Sequence, residues 1–214
     1  MTTGLIQNNP VVSLGMALPF VIVPSTSLKS AVMMSVFIFA ATVPCGVIAP
    51  IIKEKVEKIY ALPIYCIISM LFVTAAKIYL RGHAVLLDQL GIYIPLAALN
   101  SMMIEVSAIN PKKTWFKGLC RSVMMCMGFA LVCCGMGALR EIFSNHTIWD
   151  IPFKIYSIKI VGVSMPFFGF ILIGFFSALC RSIDRGVTRT MLAVAPLALP
   201  AGDENSSESV GEKV

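Results

Sequence analysis

Runs of apolar residues dominate this chain, and most approach the twenty or so residues a helix needs to cross a ~30 Å hydrocarbon core. Six can be drawn: about Pro10 to Val23, Leu28 to Ile52, Ile59 to Leu80, Leu86 to Ile109, Phe116 to Phe143 and Ile160 to Ile183. The first is short for a full span. Composition agrees: 57% of the residues are hydrophobic and only 13% charged, against about a quarter charged in a soluble domain. Mean hydropathy is +0.86. So little charge cannot cover the surface of a soluble fold, so the pattern predicts an all-α integral membrane protein of six transmembrane segments. Met1 to Pro10 holds no Lys or Arg, so the positive start of a signal peptide is missing and the first segment is expected to stay.

The polar stretches fit this division. Lys53 to Lys58 is a short charged turn, Arg81-Gly82-His83 separates two halves, and Asn110 to Lys113 is a turn. Ser144 to Lys159 reads as an interfacial loop in which Trp149 and Tyr156 suit the headgroup layer. The expected organisation is a first three-helix repeat over 1–80, a second over 84–185, and a C-terminal segment over 186–214. That segment ends in an acidic, Ser-rich tail of disordered character. Near the membrane, ten Lys and Arg fall on the side holding both termini and six on the other, which places both termini in the cytoplasm. The net charge of +6 thus reflects topology, and nothing in the chain suggests a nucleic-acid groove.

A duplicated motif carries the functional argument. Leu14-Gly15-Met16-Ala17-Leu18-Pro19-Phe20 and Leu90-Gly91-Ile92-Tyr93-Ile94-Pro95-Leu96 share the form Leu-Gly-x-x-aliphatic-Pro-apolar. Each copy opens a three-segment unit, and an odd number of spans per unit inverts the second relative to the first. Proline removes an amide and clashes with the carbonyl four residues back, while glycine permits close approach. The pairs Gly15/Pro19 and Gly91/Pro95 therefore mark broken helices in segments 1 and 4, tolerated at membrane depth only where protein or a polar cavity surrounds them. Asn100, Ser101 and Glu105 follow the second break, and a carboxylate within a span makes Glu105 a candidate for an ion path. Lys77, Asp88, Arg140 and Glu141 sit near segment ends and read as interfacial. Seven cysteines, Cys45, Cys66, Cys120, Cys126, Cys133, Cys134 and Cys180, form neither a C-x-x-C pair nor a zinc spacing and read as reduced core residues. No nucleophile elbow, phosphate loop or HExxH occurs, so the chain has no complete active site of its own.

These residues in order resemble a known family. Gly4 to Pro10, the Leu14 to Pro19 motif, Ser25-Thr26-Ser27, the Leu90 to Leu96 motif with Asn100, and Ala138-Leu139-Arg140-Glu141-Ile142 resemble the RnfE/NqrD type of membrane subunit, within the wider RnfA/RnfE and NqrD/NqrE family. The resemblance implies one component of a ferredoxin:NAD or NADH:quinone oxidoreductase that moves Na+ or H+, embedded in the cell membrane. Its expected partners are the lipid bilayer, a sister six-helix subunit and the other subunits of the complex. In the family a [2Fe–2S] cluster is shared with the sister subunit, and each of the two supplies one cysteine per broken helix. Here those positions are Leu18, before Pro19, and Ser101, after Asn100. Neither replaces a thiolate, so no cofactor is expected in this chain and a scaffold or ion-path role follows. The alternative, from the inverted repeat alone, is a stand-alone small ion or metabolite transporter.

Overall fold

The computed structural model describes residues 15, 17–107, 115–145, 147–149, 151–152, 161–178 and 182. The acidic tail, Cys180, the stretch from Pro10 to Leu14 and the turn at Asn110 to Lys113 lie outside them.

The described chain is helical apart from one minimal strand pair. A short helix α1 (Leu18–Ile22) precedes the long α2 (Leu28–Lys55) and α3 (Lys58–Tyr79). A 3-10 turn, Leu80–His83, leads into α4 (Ala84–Leu90), followed by the short α5 (Tyr93–Ala97) and α6 (Met102–Ser107). The long α7 (Trp115–Asn145) comes next, then β1 (Thr147–Ile148) paired antiparallel with β2 (Ile151–Pro152). A second 3-10 turn, Val161–Ser164, leads into α8 (Pro166–Ala178).

Three helical stretches among these residues are long and apolar enough to cross a membrane: Leu28–Ile52, Ile59–Leu90 and Trp115–Ser144. Segments 2 and 5 thus take the form expected. Segment 3 ends where expected, α3 stopping at Tyr79, and the 3-10 turn at Leu80–His83 joins it to α4 within the apolar stretch Ile59–Leu90. No proline interrupts Ile64 to Leu90, and an exposed Gly82 meets nothing that would force the chain away. Segment 4 divides into α4, α5 and α6, with breaks at Gly91 and again at Ala98 to Ser101. Segment 6 is described as the shorter helix α8.

α2 is the centre of the fold. It is apolar on all sides, with Val36, Phe39 and Ile51 exposed on its outer face, and packs along α7 on one flank and α3 on another while touching α4, α5 and α6. Pro44 and Pro50 lie inside it without ending it. Its crossing with α7 depends on absent side chains. A Cβ on Gly118 would run into the carbonyl oxygen of Gly46, one on Gly46 into Ser122 Oγ, and one on Gly137 would come within 2.9 Å of Ala31 Cβ. Small residues of this kind let membrane helices approach until backbones touch. The core they enclose includes Phe37, Ile38, Tyr65, Phe129 and Met136, all fully buried. α3 faces outward with Ile59, Ile67, Leu71 and Tyr79, and α8 with Phe167, Phe170 and Phe175.

Because the atom facing Gly118 is backbone, Gly118→Val should destabilise the fold by about 1–3 kcal/mol through overpacking. Gly82→Ala, with open space around it, should be neutral or slightly stabilising. Thermal unfolding in detergent, followed by helical circular dichroism, checks both.

Candidate functional site: the paired helix breaks

Both copies of the duplicated motif build the same local device. Gly15 has φ +64° and Gly91 has φ +44°, values that a residue with a Cβ rarely adopts. Four residues after each glycine, the proline falls in the first turn of a five-residue helix, α1 or α5. There its missing amide is one that would have had no partner in any case. Pro19 and Pro95 therefore start helices, where the sequence suggests that they break them. In the second copy the break sits at Gly91, where α4 ends.

The first break carries a second unusual residue. Ala17 has φ +57°, a left-handed conformation costing an L-residue about 1–2 kcal/mol. Its backbone is held from both ends. The carbonyl accepts from the amides of Phe20 (3.1 Å) and Val21 (3.3 Å), opening α1. The amide donates to Ser101 Oγ at 2.8 Å. That bond spans 84 residues and joins the turn ahead of α1 to the gap between α5 and α6, bringing Ser101 beside the residue that precedes Leu18.

Asn100 stands next to this bond, 2% exposed. Its Nδ2 donates to the carbonyl of Ala97 at 2.7 Å, closing the end of α5. Its Oδ1 is buried without a hydrogen-bond partner. Asn100 and Ser101 then open α6 by accepting from the amides of Met103 and Ile104, both at 3.1 Å. One turn on, Glu105 Oε2 accepts from an Arg121 guanidinium nitrogen at 2.6 Å, tying α6 to α7. The Glu105 carboxylate is thus paired with a half-exposed arginine.

Two residues read as interfacial prove to be the opposite. Arg140 is 0% and Glu141 2% exposed, and they brace the α1–α2 turn from both sides. Arg140 donates to the carbonyls of Ile22 (2.6 Å) and Ser25 (3.4 Å) beyond the end of α1, and to those of Val163 and Met165 (both 3.2 Å) ahead of α8. Glu141 Oε2 accepts from the Leu28 amide, the first of α2, at 2.7 Å, and Oε1 accepts from Thr147 Oγ1 at 3.2 Å. A cation at a helix C-terminus and an anion at a helix N-terminus each complement the macrodipole. The Ser25-Thr26-Ser27 stretch completes the turn: Ser25 Oγ donates to the carbonyl of Val21, and Ser27 caps α2 by accepting from the Ser30 amide at 3.2 Å. The available signal was the Arg140-Glu141 pair itself, since ionisable neighbours in an apolar helix are functional or structural by default. Lys77 and Asp88 are not drawn into this network.

Among the described cysteines, Cys133 Sγ lies 4.0 Å from the carbonyl of Phe20 in α1, and Cys66 lines a groove with Pro95, Ala98 and Leu99. Cys45 Sγ donates to the Tyr65 carbonyl at 3.3 Å, and Cys133 Sγ lies 3.7 Å from the Ala31 carbonyl. Among the described residues no group of three or more His, Cys, Asp or Glu could hold a metal ion. The residues at the breaks do not fit a thiolate-ligated cluster: Leu18 offers no ligand atom, and the Ser101 hydroxyl is engaged by Ala17.

A hydrogen bond between the turn ahead of α1 and the α5–α6 gap, inside a core of long apolar helices, marks a polytopic membrane protein with a discontinuous helical segment. The chain belongs to the Rnf-Nqr subunit family of membrane proteins, whose profile matches residues 1–177. Among curated proteins it is similar to the E subunit of the ion-translocating oxidoreductase complex of Shewanella oneidensis, 25% identical over 198 residues that cover 85% of each chain. The protein of the same description from Shewanella sp. strain ANA-3 is 29% identical over 210 residues, 90% of each chain. That from Shewanella loihica is 30% identical over 151 residues, 69% of this chain and 64% of the relative.

Arg140→Ala should destabilise the protein by about 3 kcal/mol or more, since the carbonyls it serves lose their donors in a water-poor interior. Arg140→Lys should recover only part, because an ammonium cannot reproduce the planar fork. Limited proteolysis at the α1–α2 turn, together with the melting temperature, reads both effects.

Proposed function

We propose that this chain is the E-type component of the membrane core in a redox-driven, ion-translocating oxidoreductase complex, and that it acts there as a redox-silent scaffold and ion-path subunit. In this reading it crosses the cell membrane six times as two inverted three-helix repeats, 1–80 and 84–185, followed by the segment 186–214. Both termini lie on the cytoplasmic side, and a sister six-helix subunit is its principal partner. Family membership supports the place in a complex. The repeated geometry at Gly15/Pro19 and Gly91/Pro95 supports the two-repeat organisation.

The observation that carries the redox-silent part is the occupancy of the two cluster-ligand positions by Leu18 and by a Ser101 hydroxyl already committed to Ala17 at 2.8 Å. Electron transfer through an iron–sulfur centre needs thiolates that these residues lack. Glu105, held by Arg121, keeps its place as a rim carboxylate of an ion path.

Affinity purification of the full chain from its own membranes should bring down flavin- or iron–sulfur-bearing partners. Iron and acid-labile sulfide in that preparation, with the electron paramagnetic resonance signal, should be unchanged by Cys45→Ser, Cys126→Ser or Cys133→Ser. Loss of a cluster signal in any of these variants would restore a direct electron-transfer role and overturn the redox-silent reading. Solute transport by the chain alone in liposomes, with no partners recovered, would favour a stand-alone transporter.

A further inference from the structure

We infer that the layer where α2, α3 and α7 meet is a binding site for internal water, held by the hydroxyls of Thr42, Ser69 and Ser122. The site lies on the three long helices, and it stands whether or not the redox-silent and ion-path roles do.

The starting observation is a group of three atoms. Thr42 Oγ1, Ser69 Oγ and Ser122 Oγ are each buried without a hydrogen-bond partner, and all three residues are 0% exposed. A serine or threonine inside a helix can turn its hydroxyl back onto the carbonyl one turn earlier. Ser35 and Thr74 do so here, reaching the carbonyls of Ala31 and Met70 at 2.8 Å. The three orphans do not. A buried hydroxyl without a partner is costly and uncommon in a folded protein, and three orphans in one place call for one cause.

They come together on one face of α2. Thr42, Cys45 and Gly46 are spaced i, i+3 and i+4, so they share that face and span about 6 Å of the helix axis. A Cβ on Gly46 would run into Ser122 Oγ, so the α7 hydroxyl lies directly over Gly46. Cys126, one turn further along α7, lies beside Thr42. Cys45 Sγ donates to the Tyr65 carbonyl at 3.3 Å and is within reach of the Ser69 backbone, which brings the α3 hydroxyl to the same level. One more acceptor joins them. Pro50 has no amide with which to bond the Gly46 carbonyl, and that carbonyl faces Gly118, one turn before Ser122.

The choice of ligand follows from these groups. Hydroxyls donate and accept, a carbonyl only accepts, and thiols are weak in either role. Water donates and accepts at once and bridges two to four such groups. A cation fits poorly, because a buried charge needs a compensating partner. The buried carboxylates nearest in the chain are taken elsewhere, Glu105 by Arg121 and Glu141 by the Leu28 amide.

The test uses the full chain with whatever partners copurify. A short X-ray pulse splits water into hydroxyl radicals that oxidise the side chains beside bound water, and mass spectrometry locates the oxidation. Cys45 and Cys126 should be oxidised several-fold faster than Cys133, which is also buried but whose sulfur lies against the Ala31 carbonyl. Melting temperature adds an independent sign. A hydroxyl that holds water loses a bond in Thr42→Val, Ser69→Ala or Ser122→Ala, so each change should lower the melting temperature by about 2–4 °C. A hydroxyl with no partner at all would instead give a variant that melts higher, since a lone buried polar atom is removed. Oxidation at Cys45 and Cys126 no faster than at Cys133, or variants that melt higher than wild type, would overturn the site. A stabilisation by NaCl or KCl over choline chloride that Ser122→Ala abolishes would put a cation in place of water and overturn it too.

Discussion

A helix that stops inside a bilayer strands up to four amides at one end and four carbonyls at the other, with no water to take them. This requirement organises the structure. At the end of α1 the stranded carbonyls of Ile22 and Ser25 go to Arg140, and at the start of α2 the Leu28 amide goes to Glu141. At the end of α5 the Ala97 carbonyl goes to Asn100, and ahead of α1 the Ala17 amide goes to Ser101. Nearly every polar side chain buried around the breaks serves a backbone group that a helix has ceased to serve. Close contact of α2 with α7 at Gly46 and Gly118 holds the frame in which these partners meet.

How much of this can be read from sequence depends on whether the cause is local. The spans at Leu28–Ile52 and Trp115–Ser144 follow from run length and are legible. The positive φ at Gly15 and Gly91 is legible because that tolerance belongs to glycine itself. The prolines mislead by one step: a proline signals departure from a helix interior, and only the backbone shows that Pro19 and Pro95 lie at helix starts. Arg81-Gly82-His83 is legible as the place where α3 gives way to α4, though its 3-10 form is not.

The site residues are legible in type but not in partner. Asn100, Ser101 and Glu105 stand out as polar groups in an apolar segment. Nothing near Ser101 in the chain names Ala17, which lies 84 residues away. Arg140 and Glu141 look interfacial because residues near a helix end usually reach water. Their partners at Ile22 and Leu28 lie 118 and 113 residues upstream, and only folding brings them close.

In the redox-silent role proposed above, Ser101 lets the fold dispense with a cluster and keep its geometry. A cluster ligated by residues from two broken helices also ties those helices together, so losing the thiolates would free both breaks unless another link replaced them. The Ser101 hydroxyl supplies one. It is isosteric with a thiol to within the size of sulfur, it reaches the Ala17 amide, and it satisfies a donor that the left-handed turn exposes. The net worth of such a bond is modest, about 1 kcal/mol, comparable to the strain at Ala17 that it offsets. Leu18, by contrast, needs no polar partner and packs against the core. On that reading one ligand position serves as a link between the α1 turn and the α5–α6 gap and the other as packing. The Ala17–Ser101 bond thus holds the turn ahead of α1 against the gap between α5 and α6.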